Sequence, residues 1–457
     1  MNAGTKAELK QAKKDIGRAQ SVVDLLVVLL KICRRHASEL LAASQDLVTR
    51  EQLWTQAVRL EEEATKTFTS KGLSPQTKEF AQHTLDQASD LAVTARALAL
   101  GVDMAMKSRY QRAYRTVYRQ LCAQPVVREL KEDDPYPTTS VDLVPMYGPH
   151  GLSSPAGRNA GTAVDCVDGL ALWPAPSEQP LRVIYDTEAG VCLDLALAQT
   201  VDIVAVLPNR DALELDFPIP DGKLFGVQAH DTALQDTIVE AALQRPAAKG
   251  ADIVATPELS CTTRTVEMIK QCTVDGRPPI VIAGGSHVSI DGKRWNRLST
   301  IYTGKKPLVR DHDKIGRYAF PVEGGMEIEE GIDRSTELRI HAGTYWSMIP
   351  LICADFLEEH VVDAVAALCP RLVVIASMST KIGGFELSMG TVIKQSQALV
   401  VVVNGPHDWW GKYKVPVVVV GMPLETNRIR KWSPPVAATP PYQVRFSSKQ
   451  RTLRSLT

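Results

Sequence analysis

The stretch Asp231–Glu258, DTALQDTIVEAALQRPAAKGADIVATPE, decides how the larger part of this chain is read. DTALQDTIVEAAL carries its apolar residues at helical spacing, and Pro246 and Gly250 close the helix. ADIVATPE then compresses into a short β-branched run that ends in proline and glutamate. A helix followed at once by an apolar strand is the repeating unit of an α/β domain. Working outward, VDIVAVLP (201–208), PIVIAG (279–284), SMIPLIC (347–353), RLVVIAS (371–377) and ALVVVVNG (398–405) are strands of the same kind, and FLEEHVVDAVAAL (356–368) is another helix. Strands this apolar are buried on both faces, so the sheet must be covered by helices on one or both sides.

Upstream the pattern changes. Residues 5 to about 122 are rich in Ala, Leu, Lys, Glu and Gln, with apolar residues three and four apart, as in Leu25, Leu26, Leu29 and Leu30. Gly72 offers a stop, Ser74 a cap, Pro75 a first turn and Gly101 a further stop. An all-α bundle of about four helices is the expectation. From Pro125 the chain turns to Pro, Gly and Ser. The expected domains are therefore a helical bundle for interaction or assembly over 1–124, a linker or extension over 125–195, an α/β domain over 196–432, and a basic, Pro-rich tail over 433–457 that is available to dock on a neighbouring subunit.

With 457 residues, 44% hydrophobic and 23% charged, and a formal net charge of zero, the chain has the composition of a globular protein with no global field toward nucleic acid or membrane. Its most apolar helix, SVVDLLVVLLKICRRH (21–36), has six apolar residues between Asp24 and Lys31 against the ~20 a bilayer span requires, and lies too deep for an ordinary signal peptide. Eight scattered cysteines without a CxxC pair suggest neither a zinc ribbon nor a disulfide framework, and a reducing cytoplasm is the expected location.

Chemistry in such a fold gathers where strands end. Glu258 follows one strand, Lys314 sits in RDHDKIGRYAF, and Cys353 closes SMIPLIC. Each has a bland reading: a helix cap, a solvated lysine, a core thiol. As an ordered set, IVATPEL, VRDHDKIGRY and PLICADF resemble the nitrilase, or carbon–nitrogen hydrolase, superfamily, which places its glutamate in lxPE, its lysine in an RK context and its cysteine in lICyD. IVIAGGSHV, YTGKKPLVRDHDK and VIKQSQALVVVVNGP resemble the flanking stretches. The resemblance covers about residues 200–425. It implies a four-layer αββα sandwich and a Glu258–Lys314–Cys353 triad that cleaves a non-peptide amide, less readily a nitrile, through a cysteine thioester, with no cofactor and no metal. It also implies a second glutamate, for which Glu323 is favoured over Glu327, Glu329 and Glu330 because it precedes glycines. A catalytically silent scaffold, and an acyltransferase using the same thioester, are the alternatives.

Other features carry less. KSRYQRAYRTVYRQL holds Lys107, Arg109, Arg112, Arg115 and Arg119 without an acid. A packed tyrosine face with a solvated basic rim is favoured there over a nucleic-acid or acidic partner. The glycine pairs in IAGGSHV and KIGGFEL are turns rather than phosphate loops. His312, His341, His360 and His407 lack metal-ligand spacing. The expected partners are a small amide or nitrile substrate and a second copy of the chain, as a homodimer or higher homo-oligomer, with no membrane.

Overall fold

A computed structural model describes residues 3–67, 73–110, 117, 120–121, 127–137, 166–167, 169–173, 181–198, 200–219, 224–321, 327–396, 398–408, 414–422, 429–432, 442–447 and 452–456. They fall into two compact units, one from the N-terminal helices with residues 130–137 and 166–173, the other from residues 127–129 and 181–456.

Among the described residues the first unit has the helices Ala3–Arg18, Val22–Arg35, Ala37–Gln45, Leu47–Thr67, Pro75–Asp86 and Leu91–Tyr110, where the sequence suggested about four. Ser21 caps the second, accepting from Asp24 N while Asp24 reaches back, so the apolar run of that helix starts at a fixed register. Leu25, Leu26, Leu29 and Leu30 are then fully buried. Ser74 and Pro75 start their helix as expected, while Gly72 lies outside the described residues. Gly101 does not end a helix. It sits inside Leu91–Tyr110, where a Cβ would come within 2.8 Å of the Ala57 carbonyl, so its role is to let two helices touch.

The stretch expected to link the domains is divided between them. Pro135–Pro137 pairs antiparallel with Leu170–Leu172, and Arg34 holds this ribbon by donating to Asp133 and to the Leu172 and Trp173 carbonyls. Arg182–Asp186 instead enters the second unit as a buried strand parallel to Glu337–Ala342, and Asp186 caps helix Thr187–Ala196 through Ala189 N. The reason is local: RVIYD carries β-branched Val183 and Ile184 and ends in a helix cap, although Pro174, Pro176 and Pro180 precede it.

The second unit is built on two large sheets. One orders Arg128–Glu129, Arg182–Asp186, Glu337–Ala342, Ser347–Ile352, Leu372–Ser377, Leu399–Asn404, Val418–Gly421 and Ile429–Trp432. The other orders Leu308–Asp313, Lys293–Tyr302, Ile280–Ile290, Ile253–Ala255, Asp202–Leu207, Tyr442–Ser447 and Thr452–Leu456. Each strand predicted from an apolar run has a parallel neighbour, and Ser347–Ile352, Leu372–Ser377 and Leu399–Asn404 are buried along their whole length. Strands Ile280–Ile290 and Lys293–Tyr302 touch Ser347–Ile352, so the sheets face each other. Helices Thr232–Gln244 and Thr263–Cys272 share an apolar cluster with Val204, Val254 and Val281 of one sheet, and Glu359–Leu368 packs with Gly383–Ser396, which lies on the other. The basic tail is no free arm over 442–456: Tyr442–Ser447 pairs antiparallel with Asp202–Leu207 in the same chain, satisfying a strand edge that would otherwise be open. The expected glycine turns differ too. Gly284 and Gly285 form a bulge within a strand, and Gly383 opens a helix.

Candidate active site

Three strand ends meet between the sheets. Glu258 follows Ile253–Ala255 in the turn Thr256-Pro257-Glu258, and that turn lies on the Gly284 bulge, where a Cβ would fall 1.8 Å from the Pro257 carbonyl oxygen. Only glycine permits so close an approach. Lys314 follows Leu308–Asp313, its backbone N–H donating to the Asn296 carbonyl. Cys353 follows Ser347–Ile352 at φ +40°, a left-handed conformation costing about 1–3 kcal/mol for a residue with a side chain. The residue opens the short turn Cys353–Leu357.

Asp355 secures this turn. One carboxylate oxygen accepts from Ile315 N (2.7 Å) and Gly316 N (2.8 Å), the other from Ile352 N (3.0 Å) and the His312 ring (2.8 Å). The carboxylate is fully buried and ties the lysine segment to the cysteine segment. Gly316 makes the contact feasible, since a Cβ there would press on the Ala354 backbone at 3.0 Å. His312 is thereby tied to the same turn.

Glu258, Lys314 and Cys353, 56 residues apart at the first step, come together in space. Lys314 Nζ donates to Glu258 Oε1 at 2.6 Å and to Glu330 Oε2 at 2.7 Å. Cys353 lines the same cavity as Glu258 and Lys314, and Ser377 Oγ lies 3.5 Å from its sulfur. Asn296 Nδ2 bridges the two carboxylates, 2.8 Å from each. His287 Nδ1 accepts from Val227 N at 3.1 Å, which leaves the Nε2 hydrogen to donate to Glu330 at 2.9 Å. Glu323 lies outside the described residues, and the glutamate found against the lysine is Glu330. The strand Glu327–Glu330 alternates exposed and buried, so Glu330 points inward with Ile328 while Glu327 and Glu329 face out. That period-2 alternation in EIEE was the signal that could have selected it. Asn296, His287 and Asp355 had no signal beyond being polar residues in or beside apolar strands.

Burial sets the electrostatics. Desolvation pushes the Glu258 carboxyl above its ordinary range, with Lys314 opposing and Glu330 reinforcing. Burial works against the Lys314 charge, yet Glu258 and Glu330 together hold its pKa well above the usual lysine range. Glu330 is also buried, but Lys314 and His287 bring it down to about 2. Burial, then the Glu258 charge, pushes the Cys353 thiol up to about 12. The resting cluster is therefore a fixed Lys314–Glu330 ion pair beside a basic carboxyl and a protonated thiol. Glu330 satisfies the lysine, which frees Glu258 to take up a proton.

The four groups form the foot of a cavity of about 250 Å³, with Phe217, Phe225, Val227, Leu259 and Met378 among its walls. Among the described residues no group of three or more His, Cys, Asp or Glu side chains could hold a metal ion. None of their helices is long and apolar enough to cross a membrane. Of the basic segment, Lys107, Arg109 and Tyr110 end a helix; Arg112, Arg115 and Arg119 lie outside the described residues.

The fold and the cluster together define an α/β domain with a buried thiol, ammonium and carboxylate set at converging strand ends. No protein-family model and no curated protein matches the chain. Solved structures of the nitrilase, or CN-hydrolase, superfamily are similar to about half of it. A CN-hydrolase superfamily protein of Xanthomonas campestris, with an arsenic adduct in its active site, is 16% identical over 54% of this chain and 90% of its own, with a TM-score of 0.36. A branch 10 member of the nitrilase superfamily from Saccharomyces cerevisiae is 13% identical over 55% and 91%, with a TM-score of 0.38. An amidase from Nesterenkonia sp. is 13% identical over 50% and 84%, with a TM-score of 0.36.

Proposed function

We propose that the second unit, a four-layer αββα domain of the nitrilase type, is a hydrolase of non-peptide amides that works through a thioester on Cys353. One observation carries this: a buried thiol lining one cavity with a carboxyl of raised pKa and the buried ammonium that donates to that carboxyl. A neutral thiol is a weak nucleophile, so proton transfer must accompany attack. Glu258 takes the Cys353 proton as sulfur bonds to the amide carbon, and the carbonyl electron pair moves onto oxygen. Lys314 and the Ala354 N–H stabilise that oxyanion. As the intermediate collapses, the C–N bond breaks and the departing amine takes the proton from Glu258. Water then attacks the thioester, giving its proton to Glu258, which returns it to the leaving sulfur as the acid is released.

The test is intact-mass spectrometry after mixing with a panel of primary amides. An acyl mass on Cys353 with release of ammonia is expected, and Glu258→Gln should lose turnover. Absence of any adduct across the panel would favour a silent scaffold, and an amide of an added amine as product would indicate acyl transfer. We further propose that the N-terminal helices mediate self-assembly; light scattering of the full chain giving a monomer mass would refute it.

A further inference from the structure

The hydrolase reading leaves the acyl group open, and the cavity narrows it. All charged groups among its described lining residues belong to the cluster itself: Glu258, Lys314 and Glu330, each already hydrogen-bonded within it. The walls above are Phe217, Phe225, Val227, Leu259 and Met378, with only the neutral polar groups of Tyr318 and Thr380 beside them. The rings of Phe217 and Phe225 lie 6.2 Å apart and tilted by 52°. A charged acyl terminus would lose water on entering and meet no free counter-ion among the described lining residues, because the ammonium among them is held between two carboxylates.

We propose that the substrates are primary amides whose acyl group is uncharged and mainly apolar. Amides carrying a free carboxylate or ammonium on the acyl chain are excluded. The inference rests on the hydrolase reading above, and its test separates the two.

Matched amides differing only in end charge are the probe. The full-length protein is assayed for ammonia release from 5-methylhexanamide against glutaramate, which replaces the isopropyl end by an isosteric carboxylate, and from hexanamide against 5-aminopentanamide. The neutral member of each pair should have at least a 30-fold higher kcat/KM; a smaller ratio in either pair overturns the proposal while leaving the hydrolase reading intact. Phe217→Arg, at the cavity mouth and 39% exposed, should shift the first ratio toward glutaramate by at least 10-fold, and an unchanged ratio counts against these walls as the acyl site. Should no amide acylate Cys353, the hydrolase reading fails and the pocket is judged independently by thiol modification. Neutral methyl methanethiosulfonate should outpace both its trimethylammonium and its sulfonate analogues at Cys353, by at least 10-fold more than it does with glutathione. Equal selectivity at the two thiols overturns the apolar pocket.

Discussion

Replacing Glu330 by glutamine removes one negative charge from the cluster while keeping its shape. In the native site Glu330 neutralises Lys314, so Glu258 experiences burial and a neighbouring anion, both of which raise its pKa. In the Glu330→Gln variant the buried ammonium has Glu258 as its sole anionic partner within the cluster, and protonating Glu258 would leave that charge uncompensated. The Glu258 pKa must then fall, and the carboxyl becomes a weaker base. General-base contributions run to about 100–10,000-fold, so a fall in kcat of about 100-fold is expected from a base held in its charged form. The acid limb of the kcat/KM profile follows the free enzyme's base, so it should move to lower pH even as the plateau drops. Stability responds as well. The Glu330 pKa falls from an ordinary 4.5 to about 2 in the fold, worth on the order of 3 kcal/mol. That stabilisation is fully present above pH ~4.5 and is lost as pH falls toward 2, so the variant should be less stable than the native chain at pH 7 and nearly equal to it near pH 2. Stopped-flow or steady-state ammonia release across pH, with urea melts at two pH values, reads both effects. An unchanged plateau together with an unmoved acid limb would refute the assignment of Glu330 as the partner that frees Glu258.

Three further outcomes follow from single contacts. Cys353→Ala should abolish turnover and acyl adducts with a melting temperature within about 2 °C of native, since only a thiol is lost; a native thiol that alkylates only on unfolding would make it a core residue. Asp355→Asn puts an NH₂ against hydrogen-bond donors now facing a carboxylate, and should cost about 2–4 kcal/mol in a urea titration, with activity falling in parallel. Gly101→Ala should cost about 1–3 kcal/mol and, by circular dichroism, leave helix content near native, because the Ala57 carbonyl is too close for a Cβ.

The sequence by itself determined the elements whose signal is local. Asp231–Glu258 read as helix, stop and strand because 3.6-residue and β-branched patterns need no distant partner to be recognised, and the apolar runs ending at Glu258 and Cys353 became strands of two sheets. Ser74 and Pro75 marked a helix start for the same reason. The tertiary structure decided what depends on an approach between segments far apart in the chain. Gly101 reads as a stop from its own propensity, and only the helix lying against it shows that the missing Cβ is needed for contact. The tail reads as a free basic arm, until the open edge of Asp202–Leu207 supplies its pairing partner. Glu330 rather than a neighbouring acid meets Lys314 because strand register turns every second side chain inward, and a one-residue slip would have aimed Glu329 there instead. Asn296, His287 and Asp355 are ordinary polar residues along the chain. They become parts of the cluster because burial favours hydrogen-bonded polar groups, and in this fold the partners within reach are Glu258, Glu330, His312 and the turns that carry Lys314 and Cys353.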